Sequence, residues 1–248
     1  MRIALLVLTL FCSTPFAEIP LAERRSGYEF MSRETRAMQD DEVTGPAVLW
    51  LLDGEALWKR KAGTADKSCA DCHKDMKGVA ARYPALNNDK LVNLDQRINL
   101  CRVEQQKAPA LQLEGRDLLA LSAYVGRQSR GMPIEISIVE KSKPFLDAGR
   151  AAFNRRQGQL NLSCAQCHDQ NWGNSLAGNP IPQAHPTGYP IYRLEWQGVG
   201  SLQRRLRNCF IGVRAEPYAY GAPEYVELEL FLMWRARGMK LETPAVRP

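Results

Sequence analysis

Cys69-Ala70-Asp71-Cys72-His73 and Cys164-Ala165-Gln166-Cys167-His168 are the two stretches that decide how this chain is read. Both spell C-x-x-C-H, two thiols one helical turn apart with an imidazole directly after the second. That is the attachment pattern of c-type haem: the thiols add to two vinyl groups and the next residue's imidazole reaches the iron from the same face. Zinc would need four ligands at each place, and neither stretch has a second Cys or His pair nearby in sequence. The chain has three histidines, and two of them close these motifs.

Working outward, the two stretches prove to be the centres of a duplicated unit. Before them, Gly54-Glu55-Ala56-Leu57-Trp58-Lys59-Arg60 aligns with Gly149-Arg150-Ala151-Ala152-Phe153-Asn154-Arg155, with Gly63 over Gly158 and Ser68 over Ser163. Each copy predicts a short helix with an apolar stripe running into the haem loop. After them, Leu94 to Cys101 aligns with Leu202 to Cys209, and Asp117 to Gly131-Met132 with Glu224 to Gly238-Met239. The latter pair predicts amphipathic helices closed by glycine at the C-cap. The expected fold is mainly α: two tandem cytochrome c-like domains related by internal duplication, at residues 46–135 and 136–248. Residues 18–45 read as a polar and aromatic N-terminal extension. Trp172 to Gly200, an insertion confined to the second copy, is rich in Gly and Pro and lacks helical periodicity.

The composition fits this organisation. The chain has 248 residues, 45% hydrophobic and 24% charged, as an ordinary globular protein does. Its net charge of +6 is spread along the chain. It lacks the concentrated basic face and stacking aromatics that nucleic acid requires, and suits anionic small molecules or acidic partners. Met1-Arg2 and the apolar run Ile3 to Cys12, followed by Ser13-Thr14-Pro15-Phe16-Ala17, read as a secretory signal peptide over residues 1–17. The run is shorter than the roughly 20 residues that span a bilayer. The expected location is the periplasm, without a membrane span.

Apart from Cys12 and the motif cysteines, Cys101 and Cys209 remain, in register between the copies. Both stand before the last helix of their unit, where the second axial ligand of the iron is expected. Thiolate ligation would lower the iron's reduction potential; a disulfide between the two is the alternative in an oxidising compartment. Met132 and Met239 lie past that helix and read as apolar anchors. Met76 is too close to His73 to reach the opposite face, and His185, in the insertion, has no counterpart in the first copy. Arg205 precedes Cys209 by one helical turn, so its guanidinium shares a face with the thiol and can hold an anion there. Arg97 stands in the same relation to Cys101, which leaves open that both arginines serve haem propionates.

The ensemble resembles the SoxA family, the dihaem subunit of the SoxAX cytochrome, an L-cysteine S-thiosulfotransferase of bacterial thiosulfate oxidation. The residues that carry the resemblance are both C-x-x-C-H motifs, Cys101, the run Cys209-Phe210-Ile211-Gly212-Val213-Arg214-Ala215-Glu216-Pro217, Glu224-Tyr225 and Arg237-Gly238. It implies two covalent haems c, attached through Cys69, Cys72, Cys164 and Cys167, with iron ligands His73 and Cys101 in the first and His168 and Cys209 in the second. It further implies that Cys209 is the catalytic residue, carried as a persulfide, and that Arg205 binds substrate. The implied reaction joins thiosulfate oxidatively to sulfur on Cys209 and passes the group to a cysteine of the SoxY protein in a SoxYZ carrier. The electrons leave to a monohaem partner, SoxX, in a heterodimer. The rival from another class is a non-enzymatic dihaem electron carrier; a dihaem peroxidase would need an open iron position beside a distal acid or base, and no such arrangement is evident in the sequence.

Overall fold

The computed structural model describes residues 18–248. The expected signal peptide, with Cys12, lies outside the described residues. In chain order the helices are α1 (Arg33–Asp40), α2 (Val48–Lys59), α3 (Cys69–Cys72), α4 (Leu94–Cys101), α5 (Arg116–Arg127), α6 (Lys143–Asn154), α7 (Cys164–His168), α8 (Leu202–Gly212) and α9 (Pro223–Arg235). The strands are β1 (Ala85–Asn87), β2 (Lys90–Val92), β3 (Ser175–Leu176), β4 (Asn179–Pro180), β5 (Ile191–Arg193), β6 (Gly198–Gly200) and β7 (Ala245–Arg247). No helix among the described residues is long and apolar enough to cross a membrane.

The duplication read from the sequence is physical. In the first copy α2 packs on α5, in the second α6 packs on α9, and each crossing is made at an aligned glycine. A Cβ on Gly54 would collide with the Ala120 carbonyl oxygen, and one on Gly149 with that of Glu227. Both haem loops start from the same device. Ser68 and Ser163 cap α3 and α7, each accepting from the backbone N–H three residues on, while the Asp71 or Gln166 side chain accepts from the serine's own N–H. This reciprocal cap fixes the first turn and so the spacing of the two thiols. Gly63 and Gly158, at φ 66° and 69°, turn the chain against the backbone that follows Cys101 and Cys209. The core of the second copy is the larger, with Phe153, Leu206, Phe210, Tyr225, Leu228, Leu230 and Phe231 all buried.

The glycines expected as caps do something else. α5 and α9 end at Arg127 and Arg235, short of Gly131 and Gly238. Those glycines, at φ 80° and 82°, turn two tails that pair with each other. Gly131 donates to Leu241 O (2.8 Å), Gly238 to Ile134 O (2.9 Å) and Ile134 to Met239 O (2.9 Å). The backbones of Met132 and Met239 therefore belong to the tie between the copies.

The insertion expected to lack periodicity carries no helix, and it does form strands. β3 and β4 make a hairpin, while β5 is the centre of a three-stranded sheet, antiparallel to β6 and parallel to β7 near the C-terminus. The N-terminal extension is docked rather than loose. α1 packs on β7, and the Gln39 side chain accepts from Val246 N–H (3.1 Å).

Candidate functional site

In the second copy the haem motif arrives preorganised. α7 carries the sequence through His168, whose Nδ1 lies 2.6 Å from the Pro182 carbonyl oxygen. A carbonyl only accepts, so Nδ1 holds the proton and Nε2 presents a bare lone pair, the form in which an imidazole ligates iron. Burial pushes His168 below its ordinary value, against the pull of the Pro182 bond and with help from Arg205 and Arg235. The ring is neutral.

His168, Arg205 and Cys209 line one cleft, together with Ile191, Leu202, Leu206 and Leu232. Cys164 is pushed up to about 12, by burial first and then by Cys209, and burial followed by Cys209 also raises Cys167. The three sulfurs are thus neighbours. Among the described residues the Arg205 guanidinium has no ion-pair partner. Arg193, at the end of β5, is held by Pro248 O (2.8 Å) and the exposed Glu195 (3.1 Å), and burial followed by Arg205 lowers its pKa. The guanidiniums of Arg193, Arg205 and Arg247 therefore share the lining with the Cys209 thiol, and Arg247 is paired with Glu242 (2.6 Å).

The first copy holds the same residues more loosely. His73 follows the end of α3 in extended conformation (φ −123°, ψ 115°), is exposed, and has its ring 5.9 Å from that of Trp58. Cys69 and Cys101 are raised chiefly by burial, and each senses Cys72. Arg97 beside Cys101 is engaged, donating to Asn87 Oδ1 (2.9 Å). Leu57, Leu94, Ile98 and Leu111 are partly buried around Cys69, over Trp58, Leu121 and Val125.

The donor sets fit haem c. Each motif offers two thiols and one imidazole beside apolar walls, and in the second copy the imidazole already has the ligating tautomer. All six described cysteines are free, so Cys101 and Cys209 are not joined to each other. His185 also lines the second cleft, with Nδ1 3.0 Å from Arg25 O; burial holds it down at about 4. Sequence reasoning missed Pro182, Tyr189, Arg193 and the Gly27, Phe30 and Met31 lining contributed by the N-terminal extension. Nothing in the run between His168 and His185 singles out Pro182, because the group it contributes is a backbone carbonyl.

The family model described as SoxA/TsdA, cytochrome c domain matches residues 53–134 and 148–241. The chain belongs to this family. A cytochrome c domain carries covalently bound haem c. The chain is 35% identical over 231 residues to the L-cysteine S-thiosulfotransferase subunit SoxA of Rhodovulum sulfidophilum, covering 91% of this chain and 80% of that one. It is 34% identical over 235 residues to the subunit of the same name from Pseudaminobacter salicylatoxidans, covering 92% and 82%. A solved structure, the crystal structure of SoxXA from P. pantotrophus, superposes with a TM-score of 0.87 at 29% identity, over 91% of this chain and 87% of that one.

Proposed function

We propose that this chain is the dihaem SoxA-type subunit of an L-cysteine S-thiosulfotransferase, acting in the periplasm after removal of residues 1–17. In this reading the domains span residues 46–135 and 136–248, and residues 18–45 form an extension docked on the second. The observation that carries it is the convergence of Arg205, Cys209 and His168 on one cleft, with Arg205 in no ion pair among the described residues. Relatives named for this activity, similar along most of the chain, support it.

The residues assign themselves to roles by their chemistry. Cys69, Cys72, Cys164 and Cys167 attach the two haems; His73 with Cys101, and His168 with Cys209, ligate the irons. When bound, the haem of the second copy supplies a one-electron acceptor and a Lewis acid that favours the Cys209 thiolate. Arg205 receives the sulfonate end of thiosulfate by charge-assisted hydrogen bonds, which orients the outer sulfur toward Cys209. Joining that sulfur to the Cys209 thiol gives a cysteine S-thiosulfonate and releases one proton and two electrons. The electrons pass to a monohaem partner of SoxX type, the second half of a heterodimer. A thiolate of a SoxYZ-type carrier then attacks the outer sulfur, takes the group as its own S-thiosulfonate and returns the Cys209 thiolate, an ordinary thiol exchange. A persulfide on Cys209 is a compatible resting form, the incoming sulfur then being joined one atom further out.

Cys209→Ser abolishes conjugation of thiosulfate to the carrier cysteine, while Cys101→Ser retains it and alters the spectrum of the first haem. Conjugation at the unaltered rate by the Cys209 variant would return the chain to the class of electron carriers.

A further inference from the structure

The carbonyl that orients His168 belongs to Pro182, in a loop with no regular structure of its own. A hydrogen bond can fix a ring only as firmly as its acceptor is fixed. The next residue, Gln183, is fully buried at 0% exposure, which is unusual for a glutamine. Its side-chain oxygen accepts from the Arg25 backbone N–H (2.7 Å) and its amide nitrogen donates to Glu23 O (3.2 Å). One side chain thereby grips the N-terminal segment as a neighbouring strand would, which only a group carrying both a donor and an acceptor can do. His185 adds a third bond from the same loop, its Nδ1 3.0 Å from Arg25 O.

The other side of the loop is tied as well. Arg235 Nη2 donates to Gln183 O (3.4 Å) and to Asp169 Oδ1 (2.6 Å), and Asp169 directly follows His168. The segment 23–25 is anchored in turn by Arg24, whose side chain is only 6% exposed. Arg24 donates to Arg237 O (2.6 Å) and pairs with Glu18 (2.7 Å).

We propose that Gln183 is a positioning residue for His168, and that the N-terminal segment it grips, residues 23–25, is a working part of the second haem site. The clamp holds the Pro182 carbonyl against Nδ1–H, which fixes the ring rotation and raises the basicity of Nε2, favouring the oxidised iron. The first copy lacks the insertion and the segment, and its His73 stands exposed.

The inference rests on His168 as an iron ligand, and its test keeps the two apart. In the holo-protein, Gln183→Ala raises the reduction potential of the second haem and leaves that of the first unchanged. Hydrogen exchange of His168 Nδ1–H, followed by NMR on the diamagnetic reduced protein, speeds up by about tenfold, as expected for losing one buried hydrogen bond's support. Gln183→Glu, which keeps the acceptor for Arg25 and loses the donor to Glu23, falls between the two. Arg24→Ala leaves the loop intact and frees only its anchor, so it gives a smaller change of the same sign even if the Gln183→Ala protein fails to fold. An unchanged potential together with unchanged exchange in a folded Gln183→Ala or Arg24→Ala protein overturns the clamp. A His168→Ala protein with an unaltered haem spectrum would instead refute His168 as ligand, while the exchange measurement still reads the clamp.

Discussion

The two copies carry the same five-residue motif and treat it differently. In the first, the helix stops at Cys72 and His73 is exposed beside Trp58. In the second, the helix continues through His168, and a carbonyl from the insertion fixes the ring. Their arginines differ in the same direction: Arg97 is held by Asn87, whereas Arg205 faces the cleft without a partner among the described residues. A duplicated motif offers the same attachment chemistry in both halves, but what packs on the motif decides where chemistry can follow. The insertion, together with residues 23–31 of the N-terminal extension, supplies that packing in the second copy.

The comparison can be broken hardest where the copies are most alike. Gly54→Ala and Gly149→Ala both drive a methyl into a facing backbone carbonyl, so each destabilises the protein by about 2 to 3 kcal/mol in denaturant unfolding. A mild effect in one copy only would show that the helix pairs are not equivalent.

It sharpens at the arginines. Arg205→Ala lowers kcat/KM for thiosulfate by about tenfold to a hundredfold, the size of a lost charge-assisted hydrogen bond. Arg97→Ala, steady-state kinetics being the check, changes it by less than about twofold because the group it removes already serves Asn87.

The smallest effect concerns two acids at the seam, Glu229 buried and Asp95 partly buried. Asp95 on α4 bonds Ser122 on α5; at the aligned positions Gln203 on α8 bonds Glu229 on α9 (2.6 Å), so the acid has changed helix between copies. Glu229 also accepts from Asn93 across the seam (3.2 Å), and the charged neighbours it senses are Asp95 and Glu114. Burial raises Asp95 to about 6 and Glu229 to about 8. The folded protein then holds more protons than the unfolded chain between these values and the ordinary carboxylate range. Its stability is fully present below about pH 4 and falls as pH rises toward 8. Glu229→Gln, which keeps an acceptor for Asn93, flattens the upper part of this slope in melting curves recorded from pH 6 to 8; an unchanged slope would show that Glu229 is ionised in the fold.

Much of this was legible in the sequence because it is written in residue identity. The motifs, the aligned Gly54 and Gly149, the capping Ser68 and Ser163 and the paired Cys101 and Cys209 each leave a letter in both copies. The His168 acceptor was not legible, since a backbone carbonyl has no letter. The sheet was hidden because β5 pairs with β7, whose residues lie far along the chain. Gln183 reads as an ordinary polar loop residue until its partners at 23 and 25 are brought to it by folding. The roles of Gly131 and Gly238 escaped for a related reason, since the tails they turn pair only when both copies are in place.

The central claim is that the second copy's thiol, not its twin, takes up the sulfur group. Peptide mass spectrometry of the holo-protein after exposure to thiosulfate and an electron acceptor, with the carrier withheld, reads this directly. A thiosulfate-derived adduct on the peptide containing Cys209, and none on the peptide containing Cys101, is the expected result. An adduct on Cys101, or a Cys209 peptide that never acquires one, would contradict it.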